Sequence, residues 1–582
     1  MKKLRLALVL LVFFHSSSIF AQSDDEAAKE RTRQQNALIE AIIAETRDLR
    51  LPENRAWMLA KAGHRLWAID QERARDLFNE AVNELISAIA QAEMEKRRNP
   101  HLALNIAQQM PRHSVLSTIG QRDAELALAS FYRTRPNDVE QAMAGRPPND
   151  QRIRNIGNNE AYVVMNEINL EQMLIRMAAD QNPEKSVELL RIALKRGVGP
   201  EVLNLLRKLH EKDPESATTL GREAIGQLMN RSFTVGNQAD HNSYQAAFSI
   251  LSDHIRQRPA TDKSFRFTTA DIRSLFDKVN SVILDPRNPM GFQYSRQLVP
   301  IAEKIRPDAV PRLQQAQQRA PYAPFQPQNA DTVRRLTSTD TPVEQAMAEA
   351  VKLDPDARRQ VYQSVANRLT AGGDLARARQ ILQENFADGV LSLAQEALDQ
   401  QYVQYLINQG KFGEAEALID EFSDPFRFQA LISLADGAFS RDQKENHTFS
   451  IRILQRARAI LPERPETNQE MNQLMRLVNA YVRIEPAEAF HLIDGLILQI
   501  NEISEASAVV NGFQGSSIVR KGEYVFHVGG GQSAASGIDF SAFRGLAQKD
   551  FDRTLGIIRS FSRREARTQL TLNLLESYPQ SR

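Results

Sequence analysis

A nine-residue formula recurs along this chain and constrains the fold more than any other feature of the sequence. Asp374–Leu382 shows it best, with a capping residue first, a small residue four positions later and two apolar residues at the end. The capping side chain can accept backbone N–H groups of a first helical turn, and the small residue lets a second helix approach closely. The other matching stretches begin at Asp70, Asn99, Asn182, Ser243, Asn446 and Asp550, with looser ones at Asp213, Gly291, Lys411 and Glu485.

The best-spaced copies show that the repeated unit is a pair of helices. The small residues Ala378, Ala415, Ser450 and Ala489 lie 37, 35 and 39 residues apart. Periods of this size are typical of helix-pair solenoids, in which each unit buries its apolar face on its neighbours. We therefore predict an all-α fold, an α-solenoid of antiparallel helix hairpins, rather than an irregular helical globule.

The segment Tyr362–Phe422 resembles tetratricopeptide repeats. The residues that carry the resemblance are Gly373-Asp374 and Gly410 at the turns between helices, Ala378 and Ala415 at the small position of the second helix, and Leu382 and Ile419 at its bulky position. The resemblance implies a superhelical scaffold that binds peptides or partner proteins on its concave face. It carries over no particular binding residue.

Composition shifts divide the chain into seven predicted segments. Clusters of proline, glutamine and asparagine mark one boundary, and a run rich in glycine and serine marks another. The predicted segments are a signal peptide at 1–21, a polar leader at 22–32, a helical-hairpin array at 33–319, a Pro/Gln/Asn-rich linker at 320–341, a tetratricopeptide-like array at 342–510, a Gly/Ser-rich insert at 511–542 and terminal helices at 543–582.

The first 21 residues predict export. A basic start, Met1–Arg5, is followed by an apolar run, Leu6–Phe14, and by a short, more polar stretch that ends at Ala21. This order is typical of a secretory signal, and the apolar run is too short to span a bilayer. We expect an exported bacterial protein, periplasmic or extracellular, with no transmembrane anchor after cleavage.

Charge and residue usage narrow the classes of partner and cofactor. The net charge of +1 gives no argument for nucleic acid, so the expected partner is a protein or a peptide. The chain has no cysteine, which excludes disulfides and thiolate ligands. Its histidines after the signal stand alone, without the close spacing of metal ligands. No cofactor or metal site is predicted.

The insert at 511–542 is the one stretch that departs from helical periodicity. Ile518–Val528 alternates around Lys521-Gly522, which predicts a β-hairpin. We expect this hairpin to expose Tyr524 and Phe526 as candidate partner contacts at one mouth of the groove. The alternative is a loop that the array merely tolerates.

Three further patterns resemble functional sites. Gly529-x-Gly531-x-x-Ala534 imitates a dinucleotide fingerprint, and the glycine and serine around Ser533 imitate a nucleophile elbow. Neither lies in the strand context that its chemistry requires. Arg559, Arg563 and Arg564 are candidate contacts for an acidic partner, although arginines near a helix end also complement the helix dipole.

Together these features favour an exported, non-catalytic scaffold that binds partner proteins or peptides in the cell envelope. One alternative is an envelope enzyme that uses the helical array as a platform, with the insert at its site. Another is a structural spacer.

Overall fold

The chain forms two compact units, each built largely of α-helices. The computed structural model describes residues 29–30, 32–98, 111–143, 159–231, 233, 238–256, 265–285, 291–318, 330–514, 518–526 and 539–577. Unit 1 comprises Met1–Tyr322, Gly515–Val528 and Tyr578–Arg582, and unit 2 comprises Ala323–Gln514 and Gly529–Ser577.

Unit 1 contains a series of helices and one small sheet. Its first helix, α1, covers residues 32–47. The elements that follow are α2 (Pro52–Leu66), α3 (Gln71–Arg98), α4 (Arg112–Gly120), α5 (Ala124–Arg133), α6 (Asn137–Met143), α7 (Asn159–Gln181), α8 (Pro183–Arg196), α9 (Val202–His210), α10 (Pro214–Met229), α11 (Gln238–Arg256), α12 (Thr269–Ile283), α13 (Gly291–Ile305), a 3₁₀ turn (Pro307–Ala309), α14 (Val310–Gln318), β1 (Val519–Arg520) and β2 (Glu523–Tyr524).

Unit 2 is also a series of helix hairpins. Its helices are α15 (Ala330–Thr337), α16 (Val343–Ala350), α17 (Pro355–Ala371), α18 (Leu375–Asn385), α19 (Asp388–Gln409), α20 (Phe412–Ile419), α21 (Asp424–Arg441), α22 (His447–Ile460), α23 (Asn468–Ile484), α24 (Pro486–Phe513), α25 (Ala542–Lys549), α26 (Phe551–Arg559) and α27 (Arg564–Ser577).

The packing of these helices is that of an α-solenoid. In unit 2 the first helices of successive hairpins, α15, α17, α19, α21, α23 and α25, contact one another in order, and α27 contacts α25. Each second helix packs on the first helix of its own hairpin and on that of the next. In unit 1 the first helices α2, α4, α7, α9, α11 and α13 are stacked in the same way. The predicted all-α solenoid is confirmed.

The recurring formula marks the second helix of most hairpins. Every small residue of the formula within the described ranges has no exposed surface: Ala74, Ser186, Ala217, Ala247, Ser295, Ala378, Ala415, Ser450, Ala489 and Thr554. The Asp374 side chain accepts the Arg377 backbone N–H at 3.1 Å. Side-chain caps of this kind also form at Asp70, Asn182, Asp213 and Asp550. Where both are present, the cap and the small residue together place the second helix in register.

Not every copy of the formula forms this cap, and the Lys411 and Glu485 side chains do not cap α20 and α24. Ser243 lies inside α11 and cannot cap it. Asn446 precedes α22, but its amide donates to the Ala438 carbonyl at 3.0 Å and does not cap that helix. The copy at Asn99 lies outside the described residues. Conversely, Asp123 caps α5 through the Leu126 N–H at 3.0 Å, and the sequence analysis missed this copy.

The turns predicted from the tetratricopeptide resemblance are present. Gly373 lies between α17 and α18 with φ of +93°, and Gly410 lies between α19 and α20 with φ of +76°. Only glycine adopts this backbone region readily. At Gly373 a Cβ atom would also lie 2.5 Å from the Tyr405 hydroxyl. Both positions therefore favour glycine for its backbone conformation, and Gly373 does so for packing as well.

Some predicted segments differ from the structure or lie outside it. The signal peptide at 1–21 lies outside the described residues. The predicted linker at 320–341 includes helix α15, because Val333 and Leu336 lie on one helical face and are buried against the next hairpin. Across the described ranges, no helix combines the length and apolar character needed to cross a lipid bilayer.

Candidate functional site: an amide-lined groove on unit 2

The first helices α19, α21 and α23 enclose a groove of about 630 Å³ within unit 2. Its polar lining consists mostly of carboxamide side chains, and we call it the amide groove. The six amide residues are Gln400, Gln404, Gln429, Gln469, Asn472 and Gln473. Val403, Phe428 and Ala430 supply buried apolar surface, and Phe426 lies partly exposed in the lining.

The polar face of α23 follows from helical periodicity. Gln469, Asn472, Gln473 and Arg476 recur at intervals of three and four residues, so they share one face of the helix. The opposite face, which includes Leu474 and Leu477, is buried in the core of unit 2. The amphipathic pattern that forms the hairpin therefore also presents the amides to the groove.

Two glycines allow the first helices to approach one another closely. At Gly437 on α21, a Cβ atom would lie 2.3 Å from Cγ2 of Ile407 on α19. At Gly545 on α25, a Cβ atom would lie 2.6 Å from Cγ1 of Val482 on α23. A larger residue at either position would push neighbouring first helices apart and alter the groove walls.

A second pocket of about 310 Å³ lies on the same stack of first helices, between α21, α23 and α25. We call it the basic pocket because Arg483 and Lys549 are in its lining. Amides continue into it at Gln443, Asn479 and Gln548. Since α21 and α23 contribute to both sites, the amide groove and the basic pocket are neighbours on one face of unit 2.

Two arginines determine the electrostatics of this face. Arg476 donates to Oε1 of Gln429 at 3.1 Å, an uncharged partner across the groove. Arg483 lies 3.3 Å from Oδ1 of Asp436 and donates to the Ser440 hydroxyl at 3.1 Å. Burial raises the pKa of Asp436, and Arg483 lowers that pKa only in part. The carboxylate therefore lies in a setting that disfavours its negative charge.

The end of the predicted insert reaches the amide groove. The backbone N–H of Asp539 donates to Oδ1 of Asn472, a residue of the groove lining, at 3.1 Å. The Asp539 side chain accepts the Ser541 N–H at 2.9 Å. A groove amide thus already binds one backbone N–H of a non-helical chain segment in this structure.

The hairpin of the insert forms as predicted, but its aromatic side chains are not exposed. Val519 pairs with Tyr524 and Arg520 with Glu523, and Lys521-Gly522 forms the turn with φ of 50° and 74°. Tyr524 is 2% exposed and Phe526 is 7% exposed. The expectation of exposed rings is wrong because the hairpin docks on α2, which period-two alternation cannot indicate.

The contacts of the hairpin lie within unit 1. The Phe526 ring packs 5.8 Å from the Trp57 ring, centroid to centroid. The Asn54 side chain donates to the Tyr524 carbonyl at 2.7 Å and accepts the Phe526 N–H at 3.0 Å. Trp57 thus packs against the hairpin.

The predicted arginine cluster does not form one basic surface. Arg563 contacts Glu505 at 2.9 Å and Glu565 at 2.7 Å, and its side chain is only 9% exposed. Arg559 lies exposed in the last turn of α26, and Arg564 is exposed at the first residue of α27. The charge of Arg563 is therefore balanced inside unit 2.

Buried charges also converge in unit 1, although no local sequence pattern indicates them. Arg112 donates to Glu167 at 2.6 and 3.1 Å, and Arg135 donates to the same carboxylate at 2.7 Å. Both guanidinium groups lie about 5 Å from the Phe131 ring centre, at 4.9 and 5.0 Å. Glu167 is 3% exposed, so these bonds join α4, α7 and the loop that follows α5 in the interior.

A second carboxylate one turn further along α7 has its own partners. Glu171 accepts the Tyr132 hydroxyl at 2.7 Å and also pairs with Arg196. Both carboxylates are fixed by cations or by a phenol, and the arrangement links neighbouring hairpins.

Among the described residues, no group of three or more histidine, cysteine or acidic residues could hold a metal ion. The glycine-rich patterns at Gly529–Ala535 lie outside the described residues.

Sequence reasoning missed the amide groove because glutamine and asparagine on an amphipathic helix usually indicate solvent exposure. A usable signal was present nevertheless. Solvated helix faces are mostly charged, whereas α23 places three amides, Gln469, Asn472 and Gln473, within five positions of its polar face. An excess of amides over charges on successive first helices would have pointed to this surface.

Comparisons with known proteins do not assign the chain to a protein family. No protein-family model matches the chain, and no curated protein matches it. One similar solved chain is described as a circular tandem repeat protein with novel repeat topology and enhanced subunit contact surfaces. It is 15% identical over 90% of this chain and 98% of its own length, with a TM-score of 0.21. A TM-score this low does not establish a shared fold. The stacked hairpins themselves define an all-α helical-repeat protein.

Proposed function

We propose that the protein is an exported, non-catalytic scaffold whose amide groove binds an extended segment of a partner protein or peptide. The observation that carries the proposal is the amide lining. Each carboxamide offers two N–H donors and a carbonyl acceptor. One such group can therefore pair with the N–H or the C=O of a peptide backbone, whatever the side chain of that residue.

The geometry of the groove supports an extended ligand over a helical one. A helix satisfies its own backbone groups, so amides would gain little from it. An extended chain leaves its N–H and C=O groups open along its length. The Asp539 N–H bound by Asn472 is an example of this pairing within unit 2.

The apolar part of the lining would add affinity to these hydrogen bonds. Phe426 is 39% exposed and lies among the amides. Partly buried aromatic side chains are frequent anchors in protein recognition. Ligand side chains that point into the groove would cover the exposed part of Phe426, while the backbone meets the amides.

A binding experiment tests the proposal directly. The mature protein would be used to select from a displayed library of unstructured peptides, and the selected peptides would be titrated by fluorescence anisotropy. The double variant Gln429→Ala/Gln473→Ala should weaken their binding by about 5- to 150-fold, since two lost neutral hydrogen bonds together remove about 1–3 kcal/mol.

A matched control uses amides outside the groove. Gln380→Ala/Gln455→Ala removes two exposed amides from the second helices α18 and α22. This control should bind like the wild type. Equal binding by the groove variant and the wild type, with both variants folded by circular dichroism, would show that the groove is not the site.

Export is proposed from the Met1–Ala21 pattern. Protein isolated from the envelope fraction of a bacterial host should have an amino terminus near Gln22. Recovery of the chain with Met1 intact in the cytosolic fraction would contradict this part of the proposal.

A further inference from the structure

The charged side chains that line the amide groove and the basic pocket are all positive. Arg476 belongs to the lining of the amide groove, and Arg483 and Lys549 belong to that of the basic pocket. No aspartate or glutamate side chain is among the described residues that line either site. A ligand on this face would meet three cations and many neutral amides.

Two carboxylates near these sites, those of Asp436 and Asp539, do not neutralise all three cations. Asp436 lies 3.3 Å from Arg483, behind the lining. Asp539 approaches Asn472 through its backbone N–H, and its carboxylate accepts the Ser541 N–H. Arg476 is exposed and bonded to the neutral Gln429. Its charge is therefore available to an anionic group in the groove.

The positions of the cations follow from the helices that carry them. Arg476 and Arg483 are seven residues apart on α23, which places them on one face about 10 Å apart along the helix axis. Lys549 lies on the next first helix, α25, in the same pocket as Arg483. The ligand would thus meet one cation in the groove and a pair further along.

The number of stacked helices sets the ligand length. The two sites together involve four first helices, α19, α21, α23 and α25. Packed helices lie about 8–10 Å apart, so three steps span about 24–30 Å. An extended chain advances about 3.3 Å per residue, which corresponds to about seven to nine residues.

We propose that the occupant of this face is an acidic, extended peptide segment of about seven to nine residues. Its carboxylates meet Arg476 in the amide groove and Arg483 with Lys549 in the basic pocket, while the amides bind its backbone. The inference rests on the proposed peptide-binding function and names the class of peptide.

The experiment compares matched synthetic nonapeptides on the full mature chain. One peptide carries glutamate at every third position in an alanine and serine background, and its twin carries glutamine at the same positions. Anisotropy titrations at low and high salt give the affinity of each. The acidic peptide should bind at least about tenfold more tightly than its twin, and the difference should shrink with salt, because exposed charges are screened.

Variants then assign the preference to the named cations. Arg476→Gln/Lys549→Gln should reduce binding of the acidic peptide about tenfold and leave the glutamine twin nearly unchanged. Arg464→Gln is the control, because Arg464 is an exposed arginine outside both sites, paired with Glu502. This control should leave both affinities unchanged.

The outcomes separate this inference from the proposed function. If both twins bind equally and Gln429→Ala/Gln473→Ala weakens both, the groove binds peptides without acidic preference and the inference is wrong. If neither twin binds while a library-selected peptide without acidic residues does, the inference is again wrong. If no peptide binds the folded protein, both the inference and the proposed function are wrong.

Discussion

The carboxylate of Glu523 caps the helix that begins after Leu51, 472 residues earlier in the chain. It accepts the backbone N–H of Arg50 at 2.5 Å, that of Leu51 at 3.2 Å and the Asn54 side-chain amide at 2.7 Å. Leu51 occupies the N-cap position of α2 and has no polar side chain for this role. The distant hairpin therefore satisfies the N-cap N–H of Leu51, the N–H of the residue before it and a side-chain amide of the first turn, where an acceptor usually comes from the local sequence.

Replacement of this acceptor should weaken α2 specifically. Glu523→Gln keeps the shape of the side chain but removes one acceptor oxygen and the negative charge at a helix N-terminus. A buried donor left without a partner costs about 1–3 kcal/mol. We expect faster hydrogen exchange of α2 amides and a lower denaturation midpoint. Glu502→Gln, at an exposed ion pair, should change neither.

The same docking changes what is expected of an insert deletion. If the hairpin exposed Tyr524 and Phe526, as expected from the sequence, replacing 511–540 by a short Gly/Ser turn would leave melting nearly intact. The docked hairpin predicts instead a clear loss of stability in unit 1, because Trp57 and Asn54 lose their Phe526 and Glu523 partners. Thermal unfolding of the deletion variant distinguishes the two expectations. An unchanged transition would show that the docking contributes little.

The register of the repeats is tested at Asp374 and Ala378. Asp374→Ala should lose about 1 kcal/mol of local stability, because the Arg377 N–H loses its acceptor. Ala378→Leu should be worse, since adding a large side chain at a fully buried position typically costs about 1–3 kcal/mol. Urea denaturation measures both. In a repeat array, the neighbouring hairpins should show most of the effect.

The buried charges of unit 1 predict a larger penalty. Glu167→Gln leaves Arg112 and Arg135 with a neutral partner in the interior, and loss of one member of a buried pair costs about 3–5 kcal/mol. Calorimetry should show the loss as a lower unfolding temperature. Glu125→Gln, at an exposed pair with Lys185, is the control and should have little effect.

The hairpins could be predicted from the sequence because their signals are local. A cap and a small residue such as Asp374 and Ala378 lie within one turn of the helix that they define. The Lys521-Gly522 turn was predictable for the same reason. The burial of Tyr524 was not, since its packing partner α2 lies more than 450 residues away in sequence, as does the Asn54 side chain bonded to the Tyr524 carbonyl.

The candidate site was less accessible to sequence reasoning than the fold. Gln429 and Gln473 belong to different hairpins, and only the stacking of first helices brings them to one groove. Arg563 shows the opposite case, a residue that the sequence suggests for binding but that the fold uses internally. An arginine near a helix end is an evident candidate for binding, yet two acidic neighbours within unit 2 already contact it.

Asp436 gives a prediction that connects stability with binding. Burial raises its pKa above the usual value of 3.8, so the folded state holds the proton more tightly than the unfolded chain. Between the unfolded and folded pKa values, stability should therefore fall as pH rises, and the ionised carboxylate is unfavourable at neutral pH. Asp436→Asn should raise the unfolding temperature at pH 7, and this gain should vanish when the pH falls below the unfolded pKa.

The same variant removes the carboxylate beside Arg483, so the acidic nonapeptide should bind more tightly to it than to the wild type. A variant that is less stable than the wild type at pH 7 would show that the Arg483 pair outweighs the burial of Asp436.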